Sequence, residues 1–409
     1  GLKGVSYFEK DNFNRTTGSY KEGIYDTLLK PAKNRNLTID SNLQVYGDSL
    51  MINKFGSIIA IEPESGEILS LINAPSFDPN LLIGRERSTN YLKLKNDTIG
   101  KPLFDRGLQG MYPPGSTFKL INGLIALQED IITPSTKILC NAGHFYSNKR
   151  FMKCHCKPGT YNDLNKAIYN SCNTYFATIY KKTIDKYSNS KQGIDNWKNH
   201  VNSFGLGNYL GYDHPLGQPG LIPDSKYYDK WYGHHQWAFS TIRSVSIGQG
   251  EVTMTPLQMA NLAAIIANKG WFYTPHFVKS VGNSGTLPEF RKKNYTMVDA
   301  KYYPPIIEGM RRVVNESGGT AIMARNSEII TCGKTGTVQN PHGQDHSVFI
   351  AFAPLNNPKI AIAVFIENAG FGGTWSAPTA SLMIEKYLNR AVKDLAKEKR
   401  IMDAHLSGL

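Results

Sequence analysis

Three short patterns in this chain set a nucleophile, two cations and a side-chain amide at spacings that suit acyl transfer. They are Ser116-Thr117-Phe118-Lys119, then Ser171-Cys172-Asn173, then Lys334-Thr335-Gly336-Thr337. A serine hydroxyl needs a base to become nucleophilic, and lysine can be that base only where burial and a neighbouring cation push its pKa down. Ser116 and Lys119 are three residues apart, which on a helix places both on one face with roughly 5–6 Å between Cβ atoms. A helix N-terminus at Ser116 would also turn unpaired N–H groups and positive potential toward a developing oxyanion. Lys334 is the candidate for the second cation. Around it, Thr335 and Thr337 alternate as donors for a carboxylate, the way an edge strand holds an extended peptide.

Each pattern alone is weak. Ser188-Asn189-Ser190-Lys191 repeats the first, in a polar stretch without a helix signal, and Ser88-Thr89-Asn90 repeats the second in a turn-rich segment. What separates Ser116 from its twin is the Pro113-Pro114-Gly115 lead-in and the apolar residues that follow at helical spacing: Leu120, Ile121, Leu124, Ile125 and Leu127. The plain structural alternatives are a capping serine with an exposed lysine at 116–119 and an ordinary glycine-bounded strand at 329–337.

The elements that must position these residues are legible in outline. Ser57 to Ile61, the turn residues Ser65-Gly66 and Glu67 to Leu71 predict an antiparallel hairpin, and Ser347 to Ala353 with Lys359 to Glu367 predict another. Thr255-Pro256 caps and opens a helix that Gly270 closes, with Leu262, Ile265 and Ile266 on its apolar face. A last helical stretch follows Ser376-Ala377-Pro378 and ends in the basic tail Lys393 to Arg400. Strands near both ends with helices between them predict an α+β domain whose sheet is completed by distant segments. The domain is expected over residues 37–409, with residues 1–36 a polar, turn-rich remnant of an upstream module.

The chain has 409 residues, with 46 Lys+Arg against 33 Asp+Glu for a net charge of +13, and 41% are hydrophobic, which excludes a disordered or fibrous chain. The basic residues are scattered and no nucleic-acid-binding pattern accompanies them, so nucleic acid is not an expected partner. An anionic envelope or a lipid-linked anionic substrate suits the same long-range field. No apolar run reaches the roughly 18 residues needed to span a bilayer, and the chain opens on Gly1, so the expectation is a soluble fragment of a longer protein.

Taken in this order, the S-x-x-K, S-x-N and K-T-G patterns resemble those of the penicillin-recognising serine transferases. Leu37-Thr38-Ile39-Asp40, Pro63 through Leu69, Phe77-Asp78-Pro79-Asn80, Tyr112 through Gly115 and Gly248 through Gln258 extend the resemblance to class B penicillin-binding proteins of the elongation type. Gly1 to Tyr25 resembles the end of that family's non-catalytic pedestal. The resemblance implies a central antiparallel sheet flanked by helices plus an all-helical subregion, and a D,D-transpeptidase that cross-links peptidoglycan stem peptides and is a target of β-lactam antibiotics. It implies that Ser116 attacks the carbonyl between two terminal D-alanines and that Lys119 takes its proton. Ser171 would relay protons to the leaving amine, Asn173 would bind the substrate amide, and Lys334 would set the local field. Thr335, Gly336 and Thr337 would hold the terminal carboxylate, and the N–H groups of Ser116 and Thr337 would form the oxyanion hole. No cofactor is implied for catalysis. A periplasmic location, an N-terminal inner-membrane anchor outside this sequence and a SEDS-family glycosyltransferase partner are implied as well. The competing readings are a β-lactamase or carboxypeptidase, and a β-lactam sensor in which Ser116 is acylated without turnover.

Five cysteines are an odd count, which argues against a fully paired disulfide framework. Three fall between the first two patterns, in Cys140-Asn-Ala-Gly-His144 and Cys154-His155-Cys156, close enough to make a tetrahedral zinc site. Some elongation-type relatives carry zinc in this insert, and Cys140 and Cys154 fall near two of their ligand positions. The expected ligands are Cys140, Cys154 and Cys156 with His155 or His144. A Cys140 to Cys154 disulfide is the alternative. Cys172 and Cys332 are read as small buried residues. His342 and His346 are expected to shape the turn after the third pattern.

Overall fold

The computed structural model describes residues 3–147, 150–234 and 236–406. Its frame is a five-stranded antiparallel sheet built from both ends of the chain. Strands β1 (Gly56–Ile61) and β2 (Ile68–Ala74) come from one end, and β3 (Cys332–Val338), β4 (His346–Ala353) and β5 (Ile360–Ile366) from the other. The order across the sheet is β3-β4-β5-β1-β2. β1 and β5 therefore pair side by side although some 300 residues separate them, with Ile59 opposite Ala363. The two predicted hairpins are β1–β2 and β4–β5.

β1, β4 and β5 are buried along almost their whole length, as strands covered on both faces must be. On one face lie helices α1 (Ser41–Leu50) and α7 (Ser376–Asn389), which also touch each other. On the other lies α5 (Pro256–Ala267), every residue of which is buried. Its start is fixed as the sequence predicts: the Thr255 hydroxyl accepts from the Gln258 N–H, the Gln258 side chain accepts from the Thr255 N–H, and Pro256 opens the first turn.

A helical subregion packs beside the sheet. It contains α2 (Lys119–Gln128), α3 (Leu164–Tyr169) and α4 (Asn173–Asp185), with α6 (Tyr303–Asn315) joining it to β3. The combination is the predicted α+β architecture. Two local expectations are corrected. Ser116 lies in a 3-10 turn, Gly115–Phe118, that leads into α2, rather than in the α-helix itself. The C-terminal helical stretch is two helices, α7 and α8 (Leu395–Met402), because Arg390 takes a left-handed conformation with φ of 58° that stops the first. Residues 3–36 are almost wholly exposed, and strand Arg35–Leu37 pairs with Val278–Val281 across the expected boundary at 36 and 37.

Candidate active site

The three patterns converge where the turn before α2 meets the edge strand β3. Glycine makes that approach feasible at two points. Gly115 has φ of +57°, and a Cβ on it would lie 3.1 Å from the Thr337 carbonyl oxygen. A Cβ on Gly336 would lie 3.0 Å from the Pro114 carbonyl oxygen. The turn is held from the other side by the Gly115 N–H, which donates to the Gly248 carbonyl at 2.8 Å. Ser116 is half-buried at this junction, whereas Lys119, one 3-10 turn on, is fully buried.

Upstream, Tyr112 anchors the same lead-in. Its ring stacks on Phe365 with centroids 4.0 Å apart, and its hydroxyl donates to Glu367 Oε1 at 2.7 Å. That oxygen also accepts from Arg106 Nε at 3.0 Å, and the Arg106 side chain is only 4% exposed. Replacing Glu367 with alanine leaves a buried guanidinium without its counter-charge. It is expected to destabilise the fold by about 3 kcal/mol, with Tyr112→Phe costing about 1 kcal/mol. Urea unfolding of the two variants checks both.

The second pattern is a junction between two helices. Ser171 follows α3 in a left-handed conformation with φ of +52°, and Cys172 then caps α4 by accepting the Tyr175 N–H. A non-glycine residue held at positive φ stores roughly 1–3 kcal/mol of backbone strain. The reward is its placement between two buried lysines. Lys119 Nζ donates to the Ser171 carbonyl oxygen at 2.8 Å, to Ser171 Oγ at 3.2 Å and to Asn173 Oδ1 at 2.6 Å. Lys334 Nζ donates to the same Ser171 Oγ at 3.0 Å and to the Thr335 carbonyl oxygen at 3.1 Å. Asn173 Nδ2 in turn donates to the Lys153 carbonyl oxygen at 2.8 Å.

Two buried ammonium groups sharing one hydroxyl oxygen oppose each other's charge. Burial pushes Lys119 down to about 8. Burial and the Lys119 charge push Lys334 well below the usual lysine range. A protonated Lys119 has three N–H donors and three acceptors for them here; losing one proton frees a lone pair that can accept from a neighbouring hydroxyl. The arrangement can therefore move a proton among Lys119, Ser171 and Lys334 beside a half-buried serine.

Predicted site residues Ser116, Lys119, Ser171, Asn173, Lys334, Thr335, Gly336 and Thr337 all belong to this one junction. Gln249 joins them, its side-chain amide 3.4 Å from the Thr337 carbonyl oxygen, as does Thr320, whose hydroxyl lies 2.9 Å from that of Thr335. Thr320 carries no pattern in the sequence, and Gln249 enters there only within the Gly248 to Gln258 run that supports the family resemblance, with no site role of its own. His346 opens β4 and accepts the Asn368 N–H at 3.0 Å, and His342 is exposed in the preceding turn, as predicted.

The cysteine cluster differs from expectation. Cys140, Cys154, Cys156 and Cys172 are all buried, and their sulfurs lie within 4.8 Å of one another. His155 is exposed and outside this group, so the fourth member is Cys172, the residue between Ser171 and Asn173. Just past the strand that ends at Lys153, Cys154 and Cys156 are buried while His155 between them is exposed. No disulfide joins Cys140 to Cys154, and all five cysteines are free. Cys332 is buried elsewhere. Hydrogen bonds from Cys156 and Cys172 pull the Cys154 thiol far down, and the same contacts push the Cys156 and Cys172 thiols up, so one sulfur of the group is favoured as a thiolate. The Asn173 N–H donates to Cys154 Sγ at 3.2 Å, linking the sulfurs directly to the second pattern.

The family model described as the penicillin binding protein transpeptidase domain matches residues 56–385. The chain belongs to that family. It is 32% identical to the peptidoglycan D,D-transpeptidase MrdA of Haemophilus influenzae over 97% of this chain and 62% of that protein. It is 31% identical to MrdA of Escherichia coli K12 over 82% of this chain and 55% of that protein. The chain thus spans about half to three-fifths of the length of these curated relatives. Among solved structures, Pseudomonas aeruginosa PBP2 in complex with WCK 5153 superposes with a TM-score of 0.79 at 30% identity, covering 90% of this chain and 79% of that one. Helicobacter pylori PBP2 in complex with MreC gives 0.79 at 26% identity, covering 95% and 69%. Within the penicillin-binding transpeptidases, these relatives group the chain with the class B proteins of PBP2 type.

Proposed function

We propose that this chain carries the D,D-transpeptidase activity of a peptidoglycan synthase, through an acyl-enzyme on Ser116. The observation that carries the reading is the shared Ser171 hydroxyl, contacted by both Lys119 and Lys334. Neutral Lys119 takes the Ser116 proton as Oγ adds to the carbonyl between two D-alanines. The oxyanion is held by the N–H groups of Ser116 and Thr337, each such donor typically contributing about 2.7–4 kcal/mol. As the tetrahedral intermediate collapses, the proton passes through Ser171 to the leaving nitrogen and D-alanine departs. Asn173 orients the substrate amide, and Thr335 and Thr337 donate to the terminal carboxylate along the free edge of β3. The amine of a second stem peptide then attacks the ester and restores Ser116. Incubation with a D-alanyl thioester and a D-amino acid acceptor tests this. Exchange product supports a transpeptidase; hydrolysis alone would mark a carboxypeptidase, and a stable adduct without turnover a sensor.

The chemistry needs no cofactor. The four cysteines are assigned to a structural zinc ion. Tetrahedral coordination at about 2.3 Å places sulfurs about 3.8 Å apart, and Cys154 Sγ lies 3.7 Å from Cys172 Sγ. Backbone N–H groups of Asn173 and Tyr175 already donate to two of the sulfurs, the outer support that thiolate ligands require. Zinc there would stiffen the insert against the second pattern and take no part in bond making. Cys172→Ser keeps a side-chain oxygen to cap α4, so it isolates the sulfur. It is expected to weaken zinc binding by more than the roughly 10–100-fold that loss of an outer partner costs. Zinc per chain after chelator competition, with Co²⁺–thiolate absorption as a second readout, checks this.

Among the described residues no helix is long and apolar enough to cross a membrane. The proposed setting is the periplasm, with an inner-membrane anchor in a segment outside this sequence. The proposed partners are the stem peptide, β-lactams and a SEDS-family glycosyltransferase. A matching structure described as coordinating polymerization and crosslinking in a peptidoglycan synthase complex supports an assembly of this kind.

A further inference from the structure

Thr320 is exposed, in the loop between α6 and β3, while its hydroxyl contacts that of the nearly buried Thr335 at 2.9 Å. Its backbone is fixed from three sides. The Gly319 N–H donates to the Glu316 carbonyl and the Ala321 N–H to the Val313 carbonyl, each at 3.0 Å. Gly373 comes so close that a Cβ on it would lie 2.1 Å from the Thr320 carbonyl oxygen. The hydroxyl pair is thus imposed by the fold.

Each hydroxyl has one proton. If Thr335 gives its proton to an anionic ligand, its oxygen is left as the acceptor within the pair, and Thr320 must donate. A carboxylate only accepts, so it selects this ordering, and the two hydrogen bonds polarise each other in the same direction. A carboxamide in the same place accepts only through a neutral carbonyl oxygen, so it gains less from this ordering than a charged carboxylate does.

We infer that Thr320 is a positioning residue for substrate recognition: it commits the Thr335 hydroxyl to donation and so raises the preference of the site for a terminal carboxylate over a neutral end group. This rests on the reading of Thr335 as a carboxylate donor.

The test compares second-order acylation of the chain by benzylpenicillin and by its carboxamide, followed by intact mass, for the wild type and for Thr320→Val, Thr320→Ser and Thr335→Val. Valine keeps the shape of threonine and removes the hydroxyl. Thr320→Val is expected to lower the carboxylate-to-carboxamide ratio by about 3–10-fold, the range for one hydrogen bond, while Thr320→Ser retains it. A ratio lowered by Thr335→Val and unmoved by Thr320→Val overturns the role of Thr320 alone. Equal slowing of both ligands in Thr320→Val also overturns it, because that is packing. A ratio that Thr335→Val leaves unmoved overturns the reading of Thr335 beneath it.

Discussion

Replacing Ser116 with alanine is expected to abolish the covalent penicillin adduct while leaving the fold intact. Removing the nucleophile from a serine acyl-transfer site lowers turnover by about six orders of magnitude, since no other group forms the ester. The side chain is half-buried in a turn whose backbone is held by Gly248 and by close packing against Gly336, so losing one oxygen should leave the unfolding midpoint nearly unchanged. Labelling by a fluorescent penicillin, intact mass and urea unfolding of Ser116→Ala beside the wild type check both halves. An adduct that persists in the variant, or moves to another residue, would remove Ser116 from the mechanism.

The second large effect concerns Lys119. As the base it works only when neutral, and burial lowers its pKa to about 8. Acylation should therefore rise about tenfold per pH unit below that value and level off above it, as the amine loses its proton. Lys119→Ala is expected to slow acylation by about 10²–10⁴-fold and to flatten this limb. Stability moves in a linked way. The folded pKa lies below the unfolded lysine value of about 10.4. Between roughly 8 and 10.4 the unfolded chain binds more protons, and Lys119 makes the fold more stable as pH rises through that window. Below it the full cost of the buried charge is present. Urea unfolding against pH, taken as the difference between wild type and Lys119→Met, should show this rise. A difference that stays flat would mean that Lys119 titrates near its ordinary value.

The local patterns were legible because they are set by neighbours in sequence. Thr255-Pro256 with Gln258 spells a capped helix start, the β-rich runs around residues 57–71 and 347–367 spell two hairpins, and Pro113-Pro114-Gly115 ahead of an apolar helical face marks Ser116 from its twin at Ser188. The order of the three motifs was enough to group them as one site and to suggest the family.

What sequence could not decide is what depends on side chains brought together from far apart. That Lys119 and Lys334 meet on one hydroxyl oxygen requires β3 to pack against the turn before α2, a contact between residues more than 200 apart in the chain. Cys172 reads as an ordinary buried cysteine until the fold of the insert carries Cys140, Cys154 and Cys156 to it. Thr320 carries no pattern at all; its place beside Thr335 follows from a tight turn and from the closeness of Gly373. The residue types that can do chemistry were fixed by the sequence, because bond-forming groups are covalent facts. Their protonation, ligand sets and orientations were decided by the tertiary structure, because those depend on burial and on neighbours that only packing supplies.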